Sequence, residues 1–286
     1  MSGIDGSTAP SEIFAAGLLE GRVALVTGGG TGLGRATALE LARCGAAVTI
    51  AGRRVEVLEA AAADIEPSVA APVDWIGGDV RTREGAERLV ACVVEQRGRL
   101  DVLVNNAGGQ YFTPAEMITV KGWRAVWRLN VEGMLNMAEA AFELAFARAG
   151  SGTIVNVTLS PHHGMPGMAH SGSARATVEA LTRELADRWA QAGVSVSAVA
   201  AGHFDTEVLA KYPESVRKGG ARTVPLQRLG DAAEHAWLVT LLASPLGRAF
   251  RGSTITLDGA RDNWMGPWPP PGLADESGEV PVEQRR

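Results

Sequence analysis

The sequence predicts a single α/β domain in which a doubly wound parallel sheet lies between two layers of helices. Short apolar runs rich in β-branched residues alternate with longer runs of helical periodicity along most of the 286 residues. This alternation is typical of a parallel sheet covered on both faces. No linker interrupts it between residues 21 and 262. We therefore expect one domain there, preceded by a flexible N-terminal arm (1–20) and followed by a Pro-rich C-terminal tail (263–286).

Each predicted element has its own local signal. The first strand, 22–29, is an apolar run ending in glycines, and the helix after it, 31–45, has a helical apolar repeat and stops at Gly45. The other strands are equally apolar and are predicted at 46–52, 72–77, 100–108, 153–158, 194–200 and 253–259. The other helices share the repeat of the first and are predicted at 55–64, 82–97, 123–148, 171–191 and 231–243.

The composition narrows the class of protein. A net charge of −5 and an isoelectric point near 5.6 argue against a nucleic-acid-binding body, which is normally basic. Cys44 and Cys92, the two cysteines, lack any partner spacing and predict core thiols of a reduced protein. No apolar run approaches the roughly 18 residues of a membrane helix. Neither a signal peptide nor a Ser-Lys-Leu address is present. We therefore expect a cytoplasmic protein with no membrane or nucleic-acid partner.

The stretch TGGGTGLG, 27–34, joins the first strand to the first helix. Glycines at such a turn let the backbone approach a pyrophosphate, and the helix N-terminus supplies N–H donors and partial positive charge. Its place between strand and helix predicts a Rossmann-type dinucleotide site rather than only a tight turn, although the glycine spacing is wider than GxGxxG. The candidate cofactor-binding residues of this turn are Gly28, Gly30, Thr31, Gly32, Leu33 and Gly34.

Two arginines follow the second strand in AGRR. An acid at this point would bind the ribose 2′-hydroxyl of NAD(H), whereas Arg53 and Arg54 suit the 2′-phosphate of NADP(H). The alternative is that the two arginines are simply exposed to solvent at the end of the strand and contact no cofactor. We expect NADP(H) as the cofactor.

Five motifs in this order resemble the short-chain dehydrogenase/reductase family: TGGGTGLG, GDV (78–80), NNAG (105–108), Asn130 and LDG (257–259). The resemblance spans residues 20–262. It implies that the cofactor is bordered by Asp79 and Val80 at the adenine, by Asn106, Ala107 and Gly108 along the cleft, and by Thr206 at the nicotinamide carboxamide.

The catalytic positions implied by this resemblance are altered. The family uses Asn, Ser, Tyr and Lys, with Tyr and Lys four residues apart on one helix face. Alignment on VEALTREL places Ser171 and Arg175 at the Tyr and Lys positions, and no Tyr or Lys lies between residues 122 and 210. Thr158 stands where the serine is usual, so Asn130 is the unaltered member.

Four further stretches, NNAGGQY, PAEMITVKGWRAV, HSGSARA and PLQRLG, are similar to a subgroup containing the peroxisomal trans-2-enoyl-CoA reductases. The 2,4-dienoyl-CoA reductases are related more loosely. The resemblance implies reduction of a conjugated C=C bond by NADPH, with an acyl-CoA or another carrier-bound small molecule as substrate. A hydroxyl of Ser171 or Thr158 could stabilise the charge that develops on the carbonyl oxygen. Arg175 could hold the ribose but cannot relay protons, because guanidinium stays protonated.

The proton donor is left open between two candidates. Tyr111 follows NNAGGQ, beside the expected nicotinamide, and His170 titrates near neutrality. Equally, Tyr111 suits a pocket wall and His170 a hydrogen-bonded cap. His162 and His163 lie on the loop that borders the substrate in the family, but no third ligand stands at a recognisable spacing, so we expect no metal site.

Three further expectations concern the whole protein. The alternative to an enzyme is a non-redox protein on this scaffold, such as an NADPH-sensing regulator, an isomerase or a cyclase with a lost dehydrogenase site. The segment 207–228 carries a net charge of +3, which suits a CoA phosphate or an ordinary solvated helix.

Helices 123–148 and 171–191 carry apolar residues beyond one stripe, including Trp127 and Trp189, and predict a homotetramer or a dimer.

Overall fold

The computed structural model describes residues 10–70, 73–160, 162, 167–207, 209, 221 and 224–263. Within them a seven-stranded parallel sheet has the order β3-β2-β1-β4-β5-β6-β9. Its strands are β1 Val23–Thr27, β2 Ala47–Gly52, β3 Val73–Gly77, β4 Val102–Asn105, β5 Gly152–Leu159, β6 Val194–Ala201 and β9 Thr254–Leu257. This order reverses direction at β1 and β4, as in a doubly wound Rossmann-type sheet, so the predicted fold class is confirmed.

The helices lie on both faces of the sheet. They are α1 Gly32–Arg43, α2 Val55–Ile65, α3 Arg83–Arg97, α4 Val120–Trp127, α5 Gly133–Ala141, α6 Ala147–Ala149, α7 Ala169–Arg188 and α8 Ala232–Ala243. One apolar core packs α3, α5 and α7 on the sheet, and a second packs α1, α2 and α8 on the opposite face. No helix of the described ranges is long and apolar enough to cross a membrane.

The strands that lead to the site are shorter than predicted. β1 ends at Thr27 because Gly28 has a φ of +65°, which leaves the extended region and begins the turn. β4 likewise ends at Asn105, so the rest of NNAG is loop. A short pair, β7 Phe204–Asp205 and β8 Gly230–Asp231, was not predicted from the sequence.

The predicted helix 123–148 is one continuous helix with two wider turns. It begins at Val120, where Thr119 accepts a hydrogen bond from Gly122 N, and runs through α4, α5 and α6. Residues Arg128–Glu132 and Phe142–Phe146 form π-helical turns between these segments. Such turns are rare and are frequently found at functional sites.

Trp189 corrects one expectation about the surface. It is 5% exposed and stacks on Phe142 of the same chain, with ring centroids 4.5 Å apart and planes at 6°. Trp127 is also partly buried against the core. Trp189 is therefore part of the monomer core, because the π turn at Phe142–Phe146 lies over the end of α7.

Residues 10–20, expected to belong to a loose arm, pack on the domain. Leu19 is 1% exposed and its N–H bonds to the carbonyl of Cys44, while the Ser11 hydroxyl donates to Glu40. The remainder of the predicted arm, 1–9, lies outside the described residues, as does almost all of the predicted tail, 264–286.

Candidate active site

A cleft of about 450 Å³ opens at the carboxyl ends of the strands, where the strand order reverses. This is where ligands bind in open α/β sheets. The cofactor-binding residues predicted from the sequence that line it are Gly28, Thr31, Gly32, Leu33, Gly34, Arg53, Arg54, Asp79, Val80, Asn106, Ala107, Gly108, Arg175 and Thr206. Gly30 does not line it: a Cβ on Gly30 would lie 3.1 Å from Val57, so this glycine faces α2.

Close backbone packing fixes the glycine-rich turn between β1 and α1. A Cβ on Gly34 would lie 2.3 Å from the carbonyl oxygen of Gly28, so α1 approaches the turn more closely than any larger residue allows. Asn106 Nδ2 donates to the carbonyl oxygens of Thr27 (3.0 Å) and Gly28 (3.2 Å). The first turn of α1 carries no acidic residue, which leaves its partial positive charge facing the cleft. These features fit a dinucleotide diphosphate.

One carboxylate already lies at this helix end. Glu207 Oε1 accepts a hydrogen bond of 2.8 Å from Gly32 N, the first residue of α1. This contact was not predicted from the sequence, in which Glu207 is only part of the basic segment 207–228. Of that segment, Lys211, Glu214, Arg217, Lys218 and Arg222 lie outside the described residues. Arg228 forms an ion pair with Glu234 at 2.7 Å.

The part of the cleft that follows β2 is basic. Arg53 and Arg54 are exposed there, directly after β2. Asp79, the acid nearest in the lining, is engaged by Arg81, whose Nε donates to Asp79 Oδ2 at 2.9 Å. Hydrogen bonds from Arg81 lower the pKa of Asp79, so its negative charge is already paired.

Arg175 lines the cleft from α7. Its Nη1 donates to the carbonyl of Val157 at 2.6 Å, and a Cβ on Gly108 would lie only 2.4 Å from Nη2. In the described part of the chain, no carboxylate lies within ion-pair distance of it. Burial lowers the pKa of Arg175 to about 10, so it remains charged at neutral pH. Arg175 thus lines the cleft as a cation with no carboxylate partner among the described residues, and its Nε is buried without a hydrogen-bond partner.

Asn130 holds the Gly109 loop of the cleft through hydrogen bonds. It is 2% exposed and lies in the first π turn of the long helix. Its amide accepts from Gly109 N (3.1 Å) and donates to the Gly109 carbonyl (2.8 Å). It does not line the cleft, so it fixes the loop that does.

Three candidate catalytic residues lie off the cleft. Ser171 is fully buried and its hydroxyl donates to Gln110 Oε1 at 2.9 Å. Tyr111 packs edge-on against His170, with ring centroids 4.4 Å apart. A Cβ on Gly122 would lie 2.0 Å from the Tyr111 hydroxyl, which shows that the phenol faces α4. Burial lowers the pKa of His170, and its ring nitrogens have no partner among the described residues.

A polar network that sequence reasoning missed meets the cleft at Thr158. The Thr158 hydroxyl donates to Glu179 Oε1 at 2.8 Å, and His162 Nε2 lies 3.0 Å from the same oxygen. His162 Nδ1 contacts Asp262 on its other side. Glu179 follows Arg175 by four residues, one helical turn, which was the available sequence signal. No group within the described ranges is arranged to hold a metal ion, and the neighbouring His163 lies outside them.

A family model described as short chain dehydrogenase matches residues 22–217. The chain belongs to this family. The match covers β1 to β6, and with them the cleft and the Thr158, His162 and Glu179 part of its network, so the resemblance found in the sequence motifs is confirmed. Members of this family are oxidoreductases that use a nicotinamide cofactor.

Several relatives of this short-chain dehydrogenase are similar along most of its length. The probable 2,4-dienoyl-CoA reductase of Bacillus subtilis is 34% identical, covering 88% of this chain and 100% of the relative. The peroxisomal 2,4-dienoyl-CoA reductase of Danio rerio is 33% identical over 87% of this chain and 84% of its own. Among solved structures, the citronellol catabolism dehydrogenase of Pseudomonas aeruginosa PAO1 is 41% identical, with a TM-score of 0.78 and coverage of 87% and 98%.

Proposed function

We propose that this protein reduces a C=C bond conjugated to a carbonyl group, with NADPH as the hydride source. The observation that carries the proposal is the Thr158–Glu179 pair, in which a hydroxyl that lines the cleft is hydrogen-bonded to a carboxylate. The protein has this pair although it lacks the usual tyrosine and lysine. The similarity to 2,4-dienoyl-CoA reductases supports the same reaction class.

The preference for NADPH rests on Arg53 and Arg54. Both line the cleft after β2, and β2 ends at Gly52 with no acid to bind a ribose 2′-hydroxyl. A guanidinium binds a 2′-phosphate with paired, charge-assisted hydrogen bonds. When bound, the reduced dinucleotide supplies the hydride.

Arg175 orients the reactants. Its guanidinium is fixed by Val157 and lies close to Gly108, so it can donate to ribose hydroxyls in the cleft. Its charge also attracts the anionic cofactor. Because guanidinium keeps its protons at neutral pH, Arg175 binds and positions but does not transfer a proton.

Thr158 and Glu179 act on the substrate carbonyl and carbon chain. Negative charge develops on the carbonyl oxygen as the β-carbon is reduced. Once Glu179 is protonated and donates to Thr158 Oγ1, the Thr158 hydroxyl is released from the bond it donates to Glu179 and can donate to the substrate. The α-carbon then needs a proton, which Thr158 passes from the carboxyl group of Glu179. These two residues thus take over the role proposed from the sequence for Tyr111 or His170, both of which lie off the cleft.

We propose an acyl-CoA thioester as the substrate class. A second class follows from the 41% identity to the citronellol catabolism dehydrogenase: a branched terpenoid alcohol or its aldehyde. We further propose that the protein acts in the cytoplasm as a homotetramer. Exposed apolar residues on the long helix, Val120 (68%), Trp123 (38%) and Leu144 (43%), support association along this face.

The test is NADPH consumption against a panel of 2-enoyl-CoA and 2,4-dienoyl-CoA thioesters, simple enones, ketones and citronellal, together with NADP⁺ reduction by citronellol. We expect turnover of a conjugated thioester and a product with one C=C bond fewer by mass spectrometry. Turnover of ketones alone would contradict the proposal, and turnover of citronellol or citronellal alone would overturn C=C reduction in favour of the second substrate class. NADPH binding without turnover of any substrate would favour the non-redox alternative.

A further inference from the structure

We propose that His162 is a proton relay that carries protons from solvent to Thr158 through Glu179, with Asp262 holding its ring in place. This inference rests on the proposed reduction, because it supplies the proton which that reaction consumes. It assigns a role to a histidine that lies on a loop outside the family's usual catalytic positions.

The contacts form an unbroken path. Glu179 Oε1 accepts from the Thr158 hydroxyl at 2.8 Å and lies 3.0 Å from His162 Nε2, both within hydrogen-bond range. One oxygen therefore contacts both the group that faces the cleft and the imidazole. No water or backbone group is needed to complete the path.

Exposure increases along this path from the cleft outward. Thr158 is 2% exposed, the Glu179 side chain 12% and the His162 side chain 31%. The inner groups are thus shielded from water, while the outermost one reaches it. A histidine at the solvent-exposed end of the path can be reprotonated between turnovers, because imidazole exchanges protons near neutral pH.

A second set of contacts fixes the imidazole. Asp262 binds His162 Nδ1 through one carboxylate oxygen and accepts from His162 N through the other at 2.5 Å. Asp262 N in turn donates to Asp258 Oδ2 at 2.8 Å, and the Ser160 hydroxyl binds the same Asp258 oxygen. Nδ1 is thereby held by a carboxylate, which directs Nε2 towards Glu179.

The surrounding negative charges favour the protonated form of the ring. Among the described residues, the charged groups around it are Glu179 on α7 and Asp262 after β9, with Asp258 behind Asp262. Burial alone would lower the pKa of His162, but the hydrogen bond to Asp262 and the two negative charges outweigh it, so the pKa is raised. The cation therefore persists above the pH at which a free histidine would lose its proton.

The proton moves in balanced steps. Hydride forms a C–H bond at the β-carbon, and the electron pair of the C=C bond moves towards the α-carbon and carbonyl oxygen. Thr158 gives its hydroxyl proton to the α-carbon while Glu179 gives its carboxyl proton to Thr158 Oγ1. Glu179 has first taken that proton from the imidazolium Nε2, which reverses the hydrogen bond that Thr158 donates to it in the resting site. Neutral His162 then takes a proton from water. The net change is one hydride and one proton added to the substrate.

The test compares wild type with His162→Gln in steady-state reduction across pH. In wild type, kcat is expected to be high at low pH and to fall as pH rises through the raised pKa of His162, because reduction needs the protonated ring. The variant should lose at least tenfold in kcat at neutral pH and lose this ionisation, while KM for NADPH changes less than twofold. Added imidazole should restore part of kcat, whereas pyrazole, a much weaker base of the same size, should not.

Two outcomes would overturn the relay alone: an active wild type whose His162→Gln variant keeps its kcat and pH profile, or a loss that imidazole does not restore with the profile unchanged. Wild type inert toward every substrate overturns the reduction and the relay together. NMR titration of His162 gives a readout that needs no turnover. We expect Glu179→Gln to lower the histidine pKa; an unchanged value would show that the two groups do not share a proton path.

Discussion

Glu207 is predicted to compete with the dinucleotide for the end of α1. Its carboxylate accepts from Gly32 N at 2.8 Å, and this amide lies where the diphosphate is expected. Because both groups are anionic, the cofactor must displace Glu207, and its binding free energy is reduced by that of the lost contact. A carboxylate at an exposed helix N-terminus contributes about 0.3–1 kcal/mol, so Glu207→Ala should tighten cofactor binding roughly two- to fivefold.

The assay is titration of cofactor fluorescence at low and high salt. NADPH and NADH should gain equally, since they share the diphosphate, and the gain should shrink at high salt because the interaction is screened. Asp205→Asn is the matched control: this exposed carboxylate on β7 makes no side-chain hydrogen bond or ion pair within the described residues and should change either affinity little. Weaker binding by Glu207→Ala, or a changed NADPH-to-NADH ratio, would refute the reasoning.

Four other changes are predicted. Arg53→Ala should remove most of an NADPH preference of at least tenfold, about 1.4 kcal/mol, by calorimetry; equal affinities in wild type would contradict it. Ser171→Tyr with Arg175→Lys should abolish C=C reduction, since Ser171 is fully buried and a phenol there overpacks the core; gain of ketone reduction would indicate a lost dehydrogenase site. Trp189→Ala should cost about 3–5 kcal/mol of unfolding free energy in urea, whereas a change under 1 kcal/mol would exclude a core role. Burial lowers the pKa of His235 to about 4, so stability should fall as pH falls from 6.5 towards 4 because only the unfolded chain takes the proton, and His235→Leu should flatten that fall.

The parts of the fold that could be predicted are those with local signals. Alternating apolar runs gave the sheet and helices, and the position of TGGGTGLG gave the cofactor end of the cleft, because glycine conformation depends on near neighbours. The π turn at Arg128–Glu132 had no such signal. It arises where the helix adjusts so that Asn130 can reach Gly109, a tertiary contact.

The proposed catalytic network is formed by residues that are distant in sequence. Thr158 and Glu179 are 21 residues apart, and His162 and Asp262 are 100 apart. Tyr111 and His170 were plausible because each is close in sequence to a cleft motif, yet their side chains turn to each other. Proximity along the chain places a residue on the correct loop but does not decide which way its side chain points.

The unpaired guanidinium of Arg175 has a consequence beyond the reaction. A partly buried charge without a counter-ion raises the free energy of the ligand-free fold, and an anionic dinucleotide beside it removes part of that cost. A ligand present at a hundred times its Kd stabilises the folded state by about 2.7 kcal/mol. In a cell, molecules that open more often are degraded sooner. We therefore expect the supply of dinucleotide to set how long each copy of this polypeptide survives.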